Sequence, residues 1–213
     1  MCKWSSGIAC PELGPTPWSS ECPLPPPAWF EDALDAFIQA FDAARSGEWA
    51  LAVEWLAETR DAELREWMHL HAQNAGPWRA GMSAPPKLVQ RAQRESLQRF
   101  EGELWDRDGY RCCYCGLRVL HPRALRWFSQ LIGPEKFPVR GGNLTRHGIK
   151  VVSSASLNHV VPVACGGETS PANLVTACWC CNYGKAEFTL EELGLDWPST
   201  KPDLDWLGLS DRI

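Results

Sequence analysis

The residues with the clearest chemical potential lie in the second half of the chain, where cysteines recur as two C-x-x-C pairs. The pairs are Cys112 with Cys115 and Cys178 with Cys181, with 62 residues between them. Each pair allows two sulfurs of one turn to face one ion, and tetrahedral Zn²⁺ accepts two such pairs. The spacing therefore predicts a structural zinc site of four thiolates, with no coordination position left for a substrate.

Two other uses of these cysteines remain open from the sequence. One is redox chemistry, but thioredoxin-like proteins use a single C-x-x-C in a βαβ context, which this pattern lacks. The other is that Cys113 or Cys180 replaces one of the four ligands, which the spacing makes the minor alternative. Cys165, beside a Gly-Gly turn, is interpreted as a plain small residue.

A second group of polar residues lies on the segment LNHVVPVACGGETSPANLVTACWCCNYGK. His159 lies on a short, largely apolar run predicted to be a strand, and a neutral imidazole can accept a proton near pH 7. We therefore interpret His159 as a general base. Asn173 is predicted to form hydrogen bonds across the Gly166-Gly167 turn and so to hold the loop and His159 in place. Taken alone, a histidine on a strand would be structural, so this interpretation depends on the combination of motifs.

Residues 106–193 resemble the HNH endonucleases, in the subset whose ββα-metal core is stapled by a four-cysteine zinc site. The matching elements are, in order, RDGYRCCYCG, NHVVP, GG, NLVTAC, CNYGK and TLEEL. The resemblance implies metal-dependent hydrolysis of DNA phosphodiester bonds, with His159 as the base. It places Asn158 and Asn182 at the positions of ligands to a catalytic Mg²⁺ or Mn²⁺, and Lys185 where it can contact a phosphate.

Asn158 departs from the family pattern, which has Asp, Glu or His at this position. A neutral amide oxygen is a poorer ligand for Mg²⁺ than a carboxylate, because it removes a full charge from the site. Three explanations compete: the metal is held mainly through the substrate, the residue is an engineered substitution, or the site is naturally degenerate. The catalytically silent alternative is a zinc-stapled nucleic-acid-binding or adaptor module.

Charge is strongly segmented along the chain. Residues 1–80 carry 5 Lys and Arg against 12 Asp and Glu, residues 81–150 carry 13 against 6, and residues 151–213 carry 3 against 8. A basic middle between acidic ends predicts a local surface that faces phosphate groups, with DNA as the partner. For residues 87–107 alone, a solvated helix face rich in arginine is an alternative interpretation.

Composition and periodicity predict an α+β fold that is mainly α, in three parts. Residues 1–28 are predicted to be a flexible tail, residues 29–86 an acidic helical domain or arm, and residues 87–213 the HNH module with a C-terminal wrap. Apolar residues at helical spacing predict helices over 30–44, 49–57, 62–72, 87–105, 121–132, 179–186 and 189–193. Strands are predicted over 156–163 and 173–176, and a loop over 133–148.

The cellular setting and partners are predicted from the same features. No apolar run reaches the length of a membrane span, and no secretory signal is visible, so we expect a cytoplasmic protein with reduced cysteines. The acidic helices are expected to dock a protein partner or to self-associate. The resemblance further permits a role as an effector subunit in a bacterial anti-phage or restriction system.

Overall fold

The computed structural model describes residues 26–69, 95–199 and 205–213. Within these ranges, α-helices surround a single antiparallel pair of strands, which confirms an α+β fold that is mainly α. The helices are α1 (Trp29–Arg45), α2 (Trp49–Ala57), α3 (Asp61–Trp67), α4 (Glu101–Arg107), α5 (Pro122–Ile132), α6 (Gly148–Ser153), α7 (Trp179–Lys185) and α8 (Leu190–Leu193). The strands are β1 (Ser156–His159) and β2 (Leu174–Ala177).

The acidic helices follow the predicted apolar periodicity. In α1, Phe30, Leu34, Phe37 and Phe41 are all buried, because residues three or four apart lie on one face of a helix. α2 has the predicted bounds, and α3 begins at Asp61, within one residue of its predicted start. The predicted residues 70–72 of that helix lie outside the described ranges.

These helices share one hydrophobic core with the other described helices and with both strands. The ring of Phe37 lies 5.0 Å from that of Phe128 on α5 and 5.2 Å from that of Phe137, measured between centroids. On the surface, Arg118 donates to Glu31 and Asp35 of α1 at 2.7 and 2.6 Å. The predicted boundary at residue 86 and the tail up to residue 25 lie outside the described ranges, so the division into domains stays a prediction.

Helix α6 was not predicted, because its sequence GIKVVS is short and rich in β-branched residues, which favour strands. It is stabilised by its neighbours instead. The Nδ1 atom of His147 accepts a hydrogen bond from the Ile149 amide at 3.3 Å, and burial lowers the pKa of His147 to about 4, which keeps the ring neutral. At Gly148, a Cβ atom would come within 2.6 Å of the Asp61 carbonyl, so close packing on α3 requires glycine there.

Two further boundaries and the placement of the C-terminal segment differ from prediction. The helix predicted over 87–105 is, in its described part, a 3₁₀ turn at Gln98–Phe100 followed by α4. β1 ends at His159, before Pro162, whose missing N–H cannot extend a strand ladder. At the C-terminus, Trp206 is buried rather than wrapped on the surface, and its indole N–H donates to the Val119 carbonyl at 3.2 Å.

Candidate active site and metal centre

The sulfurs of the four cysteines predicted to be zinc ligands converge in the structure. The Sγ atoms of Cys112, Cys115, Cys178 and Cys181 all lie within 4.8 Å of one another. A tetrahedral Zn²⁺ with Zn–S bonds of about 2.3 Å has sulfurs about 3.8 Å apart, and the Cys115 and Cys178 sulfurs are 3.7 Å apart. The set fits a structural zinc ion, and all four cysteines are free of disulfides.

Two local structures present these sulfurs. In the first, the Cys112 amide donates to the Leu117 carbonyl and the Gly116 amide donates back to the Cys112 carbonyl, which closes a tight turn. Gly116 has φ +77°, a conformation that favours glycine. In the second, Cys178 is the N-cap of α7, and its sulfur accepts from the Cys181 amide.

The cysteine cluster also favours a thiolate at Cys178. Burial raises the pKa of Cys178, but hydrogen bonds from the surrounding thiols outweigh it and hold this pKa well below the usual range. Cys113 behaves differently: it points toward Asp108, and burial raises its pKa. The geometry therefore leaves Cys113 and Cys180 outside the four-sulfur set.

Replacing Cys178 by serine is expected to abolish zinc binding and to lower the melting temperature by more than 10 °C. A structural zinc site contributes about 10 kcal/mol to folding, which is comparable to the whole stability of an ordinary domain, so its loss should destabilise the fold strongly. Zinc content by mass spectrometry and thermal unfolding followed by circular dichroism measure this. The matched control is Cys165→Ser, which lies outside the cluster and is expected to keep one zinc per chain. Equal zinc content in both variants would contradict the assignment.

The β1–β2 hairpin and α7 bring together the polar residues singled out in the sequence. Asn158 pairs with Val175 and His159 with Leu174 in the antiparallel register. The side chain of His159 is largely buried, and its Nε2 atom lies 3.0 Å from the Thr169 hydroxyl. The imidazole is therefore held at the end of β1, beside the loop that joins the strands.

Asn173 holds that loop through three hydrogen bonds. Its Oδ1 accepts from the Val161 amide at 2.8 Å, and its Nδ2 donates to the carbonyls of Val161 at 3.0 Å and Glu168 at 2.8 Å. Gly167 allows this closure, because a Cβ atom there would lie 1.8 Å from the Val161 oxygen. Asn173 thus spans the turn as expected.

The side chains of Asn158 and Asn182 are hydrogen-bonded to each other, and each forms a hydrogen bond to one further residue. The Nδ2 of Asn158 donates to the Oδ1 of Asn182 at 2.9 Å, and the Tyr114 hydroxyl donates to the Oδ1 of Asn158 at 2.9 Å. The Nδ2 of Asn182 donates to the Ser156 hydroxyl at 3.0 Å. Burial raises the pKa of Tyr114 well above its usual range, so its hydroxyl stays a donor.

This network does not fit a catalytic Mg²⁺ or Mn²⁺ as it stands. Both amide oxygens that would bind the ion already accept hydrogen bonds from protein donors. Neither residue carries a charge, and hard divalent cations prefer carboxylates. Among the described residues, the cysteine cluster is the one grouping of three or more His, Cys, Asp or Glu with metal-site geometry.

The expected phosphate contact of Lys185 is wrong for this structure. The Lys185 side chain is fully buried, and its ammonium donates to the His159 carbonyl at 2.9 Å. Lys185 lies on the face of α7 that packs against the hairpin, so its side chain extends into the interior of the protein rather than toward solvent. Lys185 positions the backbone of β1 at His159.

Sequence reasoning assigned no role to two residues of the RDGY motif that support the site. Asp108 is fully buried, pairs with Arg107 at 2.7 Å and accepts from the Thr176 amide on β2 at 2.7 Å. Arg107 also donates to the carbonyls of Pro171 and Leu174. The RDGY motif was visible in the sequence, but its contact with β2 across more than 60 residues was not.

An antiparallel hairpin followed by a helix, stapled by four cysteines, is the arrangement expected of an HNH nuclease module. The family model described as HNH endonuclease matches residues 145–187, which cover α6, the hairpin and α7. The match agrees with the class that the sequence resemblance indicated for this segment. Comparison with curated proteins and with solved structures finds no match.

None of the described helices is both long enough and apolar enough to cross a lipid bilayer.

Proposed function

We propose that this chain is an HNH-type endonuclease that hydrolyses phosphodiester bonds of DNA. The observation that carries the proposal is the placement of the His159 imidazole at the end of β1, beside the Asn158–Asn182 pair that bridges β1 and α7. The matched HNH domain supports nucleic acid as the substrate. The basic stretch of residues 81–150 supplies the charge that attracts a phosphate backbone.

In this proposal His159 removes a proton from the water that attacks the scissile phosphorus. An imidazole suits this role because its unperturbed pKa lies near physiological pH. Asn173 and Lys185 are positioning residues: the first fixes the loop after β1, and the second fixes the His159 carbonyl. The Asn158–Asn182 pair does not fit a divalent ion. The proposed mechanism therefore assigns no further step to this chain after the proton has moved to His159.

Cleavage of supercoiled plasmid in the presence of Mg²⁺ or Mn²⁺ tests the proposal directly. Nicked or linear product from the chain, absent from a His159→Ala variant, supports a nuclease. A parallel reaction with a structured RNA of equal length separates DNA from RNA as the substrate. If the chain and all variants leave both substrates intact, the proposal fails.

The second candidate is a catalytically silent, zinc-stapled module that binds nucleic acid or a protein. The closed Tyr114–Asn158–Asn182–Ser156 network favours it, because both oxygens that would bind a catalytic ion are already used. The discriminating observation is the effect of His159→Ala: a binding module should tolerate it in every assay, whereas a nuclease should not.

We also propose that the acidic helices mediate self-association, as one way in which an effector subunit of a bacterial defence system is regulated. α2 leaves Trp49, Val53 and Trp55 38–49% exposed, although most of this helix is apolar. A helix that is apolar on nearly all sides normally buries more than one face. The proposed role in an anti-phage or restriction system rests on the family resemblance.

Replacing both Val53 and Trp55 by glutamate is expected to convert a dimer into a monomer, without loss of folding. Both side chains are exposed, one on each side of the buried stripe formed by Ala52 and Leu56. Sedimentation velocity measures the oligomeric state, and Glu54→Gln serves as the surface control. A wild-type chain that remains monomeric at about 100 μM would overturn self-association. A Kd weaker than about 100 μM corresponds to a binding free energy of only about 5 kcal/mol.

A further inference from the structure

A cavity of about 650 Å³ lies between α5, the loop before α6, α6 itself and the start of α7. Its size is within the range of about 300–1,000 Å³ that small-molecule sites occupy. All charged residues in its lining are cations: Arg126, Arg140, Arg146 and Lys150. The cavity is therefore suited to an anionic ligand.

No carboxylate among the described residues compensates the positive charge of the lining. In the described parts of the chain, none of these four cations forms a salt bridge, and the Nε atom of Arg146 is buried without a hydrogen-bond partner. The Lys150 ammonium donates to the Ser154 hydroxyl at 2.8 Å. Burial, with the charges of Arg146 and Arg126, lowers the pKa of Lys150 to about 8. A bound anion would relieve this repulsion.

An aromatic wall stands next to these cations. The Arg146 guanidinium and the Lys150 ammonium each lie 5.6 Å from the centre of the Trp179 ring. Pro138 and Val139 extend the apolar surface. A nucleotide combines the two matching features, since its phosphate pairs with cations and its base packs on aromatic side chains.

The cavity adjoins the candidate active site through α7. Trp179, in the cavity wall, and Asn182, in the amide pair, lie three residues apart on this helix. Side chains at this spacing are neighbours, with Cβ atoms about 5–6 Å apart. Phosphates follow one another about every 3.4 Å along the axis of one strand of a duplex. A strand with one phosphate at the hairpin can therefore reach the cavity with the next nucleotides.

We propose that this cavity binds a nucleotide of the strand being cleaved, next to the scissile phosphate. Arg146 and Lys150 bind its phosphate, and the base or sugar packs against Trp179. Arg126 and Arg140, which are exposed at the rim, each bind a neighbouring phosphate of the same strand. This inference rests on the proposed nuclease function, because it places the nucleotide on the substrate strand.

The test compares two double variants that remove the same charge. Arg126→Gln with Arg140→Gln lies in the cavity lining, whereas Arg123→Gln with Lys136→Gln changes exposed cations outside it. Binding of a labelled single strand of about 12 nucleotides is measured without added divalent ions, so that cleavage does not interfere. We expect the cavity variant to bind about 10-fold more weakly and its salt dependence to fall by about 1.4 in log–log slope, as for two lost phosphate contacts. The control double variant should change the affinity for the labelled strand by less than about 2-fold.

Equal weakening by both double variants would overturn the inference, since it would reflect only the general charge of the surface. A strand with all its bases should bind more tightly than one with abasic sites, because a base packs against Trp179. Trp179→Leu should remove this difference in affinity, and an unchanged difference counts against the role of Trp179. Circular dichroism and zinc content confirm that each variant is folded.

Free deoxyadenosine monophosphate separates the two sources of a nucleotide. Failure to displace the strand at about 1 mM, a concentration at which weak ligands bind with about 4 kcal/mol, supports the strand as the ligand. Displacement at micromolar concentrations shows a site for a free nucleotide and overturns the strand assignment. If the variants bind DNA normally while the chain still cleaves plasmid, the cavity inference fails and the nuclease function stands. If binding depends on the cavity but no cleavage occurs, nucleic-acid binding remains and the nuclease function fails.

Discussion

Replacing Asn158 by aspartate is expected to raise Mg²⁺-dependent plasmid cleavage by about 100-fold, equivalent to nearly 3 kcal/mol of transition-state stabilisation. The carboxylate removes the Nδ2 donor that now bonds to the Asn182 oxygen at 2.9 Å, and so frees that oxygen. It also adds a full negative charge at the position where the HNH resemblance places a metal ligand. Initial rates of plasmid nicking with Mg²⁺ and with Mn²⁺ measure the effect.

The same variant has a readout that does not depend on activity. Asn158 is buried, and a buried carboxylate without a cation is costly, so Asn158→Asp should unfold at a lower temperature than the wild type. Added Mg²⁺ should restore stability, by about 2.7 kcal/mol when its concentration is 100 times the Kd. The wild type should respond little to Mg²⁺ in this range.

Two controls separate metal binding from a general change of charge. Gln98→Glu makes the same amide-to-carboxylate exchange at an exposed position away from the hairpin, and should alter neither cleavage nor Mg²⁺ response. Asn158→Ala opens the network without adding a ligand, and should not activate. Wild-type cleavage equal to that of Asn158→Asp would show that an amide suffices at this position.

Removing the imidazole of His159 is expected to lower cleavage by about 10²- to 10⁴-fold, the usual contribution of a general base. The background should be whichever form cleaves, the wild type or Asn158→Asp. Single-turnover cleavage rates with enzyme in excess isolate the chemical step from binding and product release. DNA affinity, measured without divalent ions, should remain within about 2-fold, since the imidazole is assigned to proton transfer rather than phosphate binding.

A glutamine at position 159 distinguishes proton transfer from a structural role. Glutamine can keep a hydrogen bond to Thr169, which now lies 3.0 Å from the His159 ring nitrogen, but it cannot accept a proton near neutral pH. His159→Gln should therefore be as inactive as His159→Ala while retaining wild-type stability. Recovery of activity in His159→Gln would assign a purely structural role to His159.

The sequence determined the parts of this molecule that depend on local spacing. The C-x-x-C pairs predicted the four sulfurs that converge, because each pair is fixed by a single turn. The helical periods predicted α1 and α2 closely, since apolar residues at positions three and four apart need one buried face. Asn173 was predicted to span the loop, because the Gly-Gly turn restricts the local geometry.

Only the tertiary structure decided how the polar groups of the site are used. Helix α6 forms despite unfavourable local preference, because Gly148 packs against α3 and His147 caps the helix. Lys185 turns inward to the His159 carbonyl rather than outward to a phosphate, because its face of α7 is buried against the hairpin.

The state of Asn158 was decided in the same way. Its amide is tied to Tyr114, 44 residues earlier, and to Asn182, 24 residues later. Sequence spacing fixes contacts within a turn or a helix, whereas partners that are distant in the chain meet only when the core brings their elements together. The convergence of the four cysteine sulfurs was therefore predictable from the sequence, and the hydrogen bonds to the amide oxygens were not.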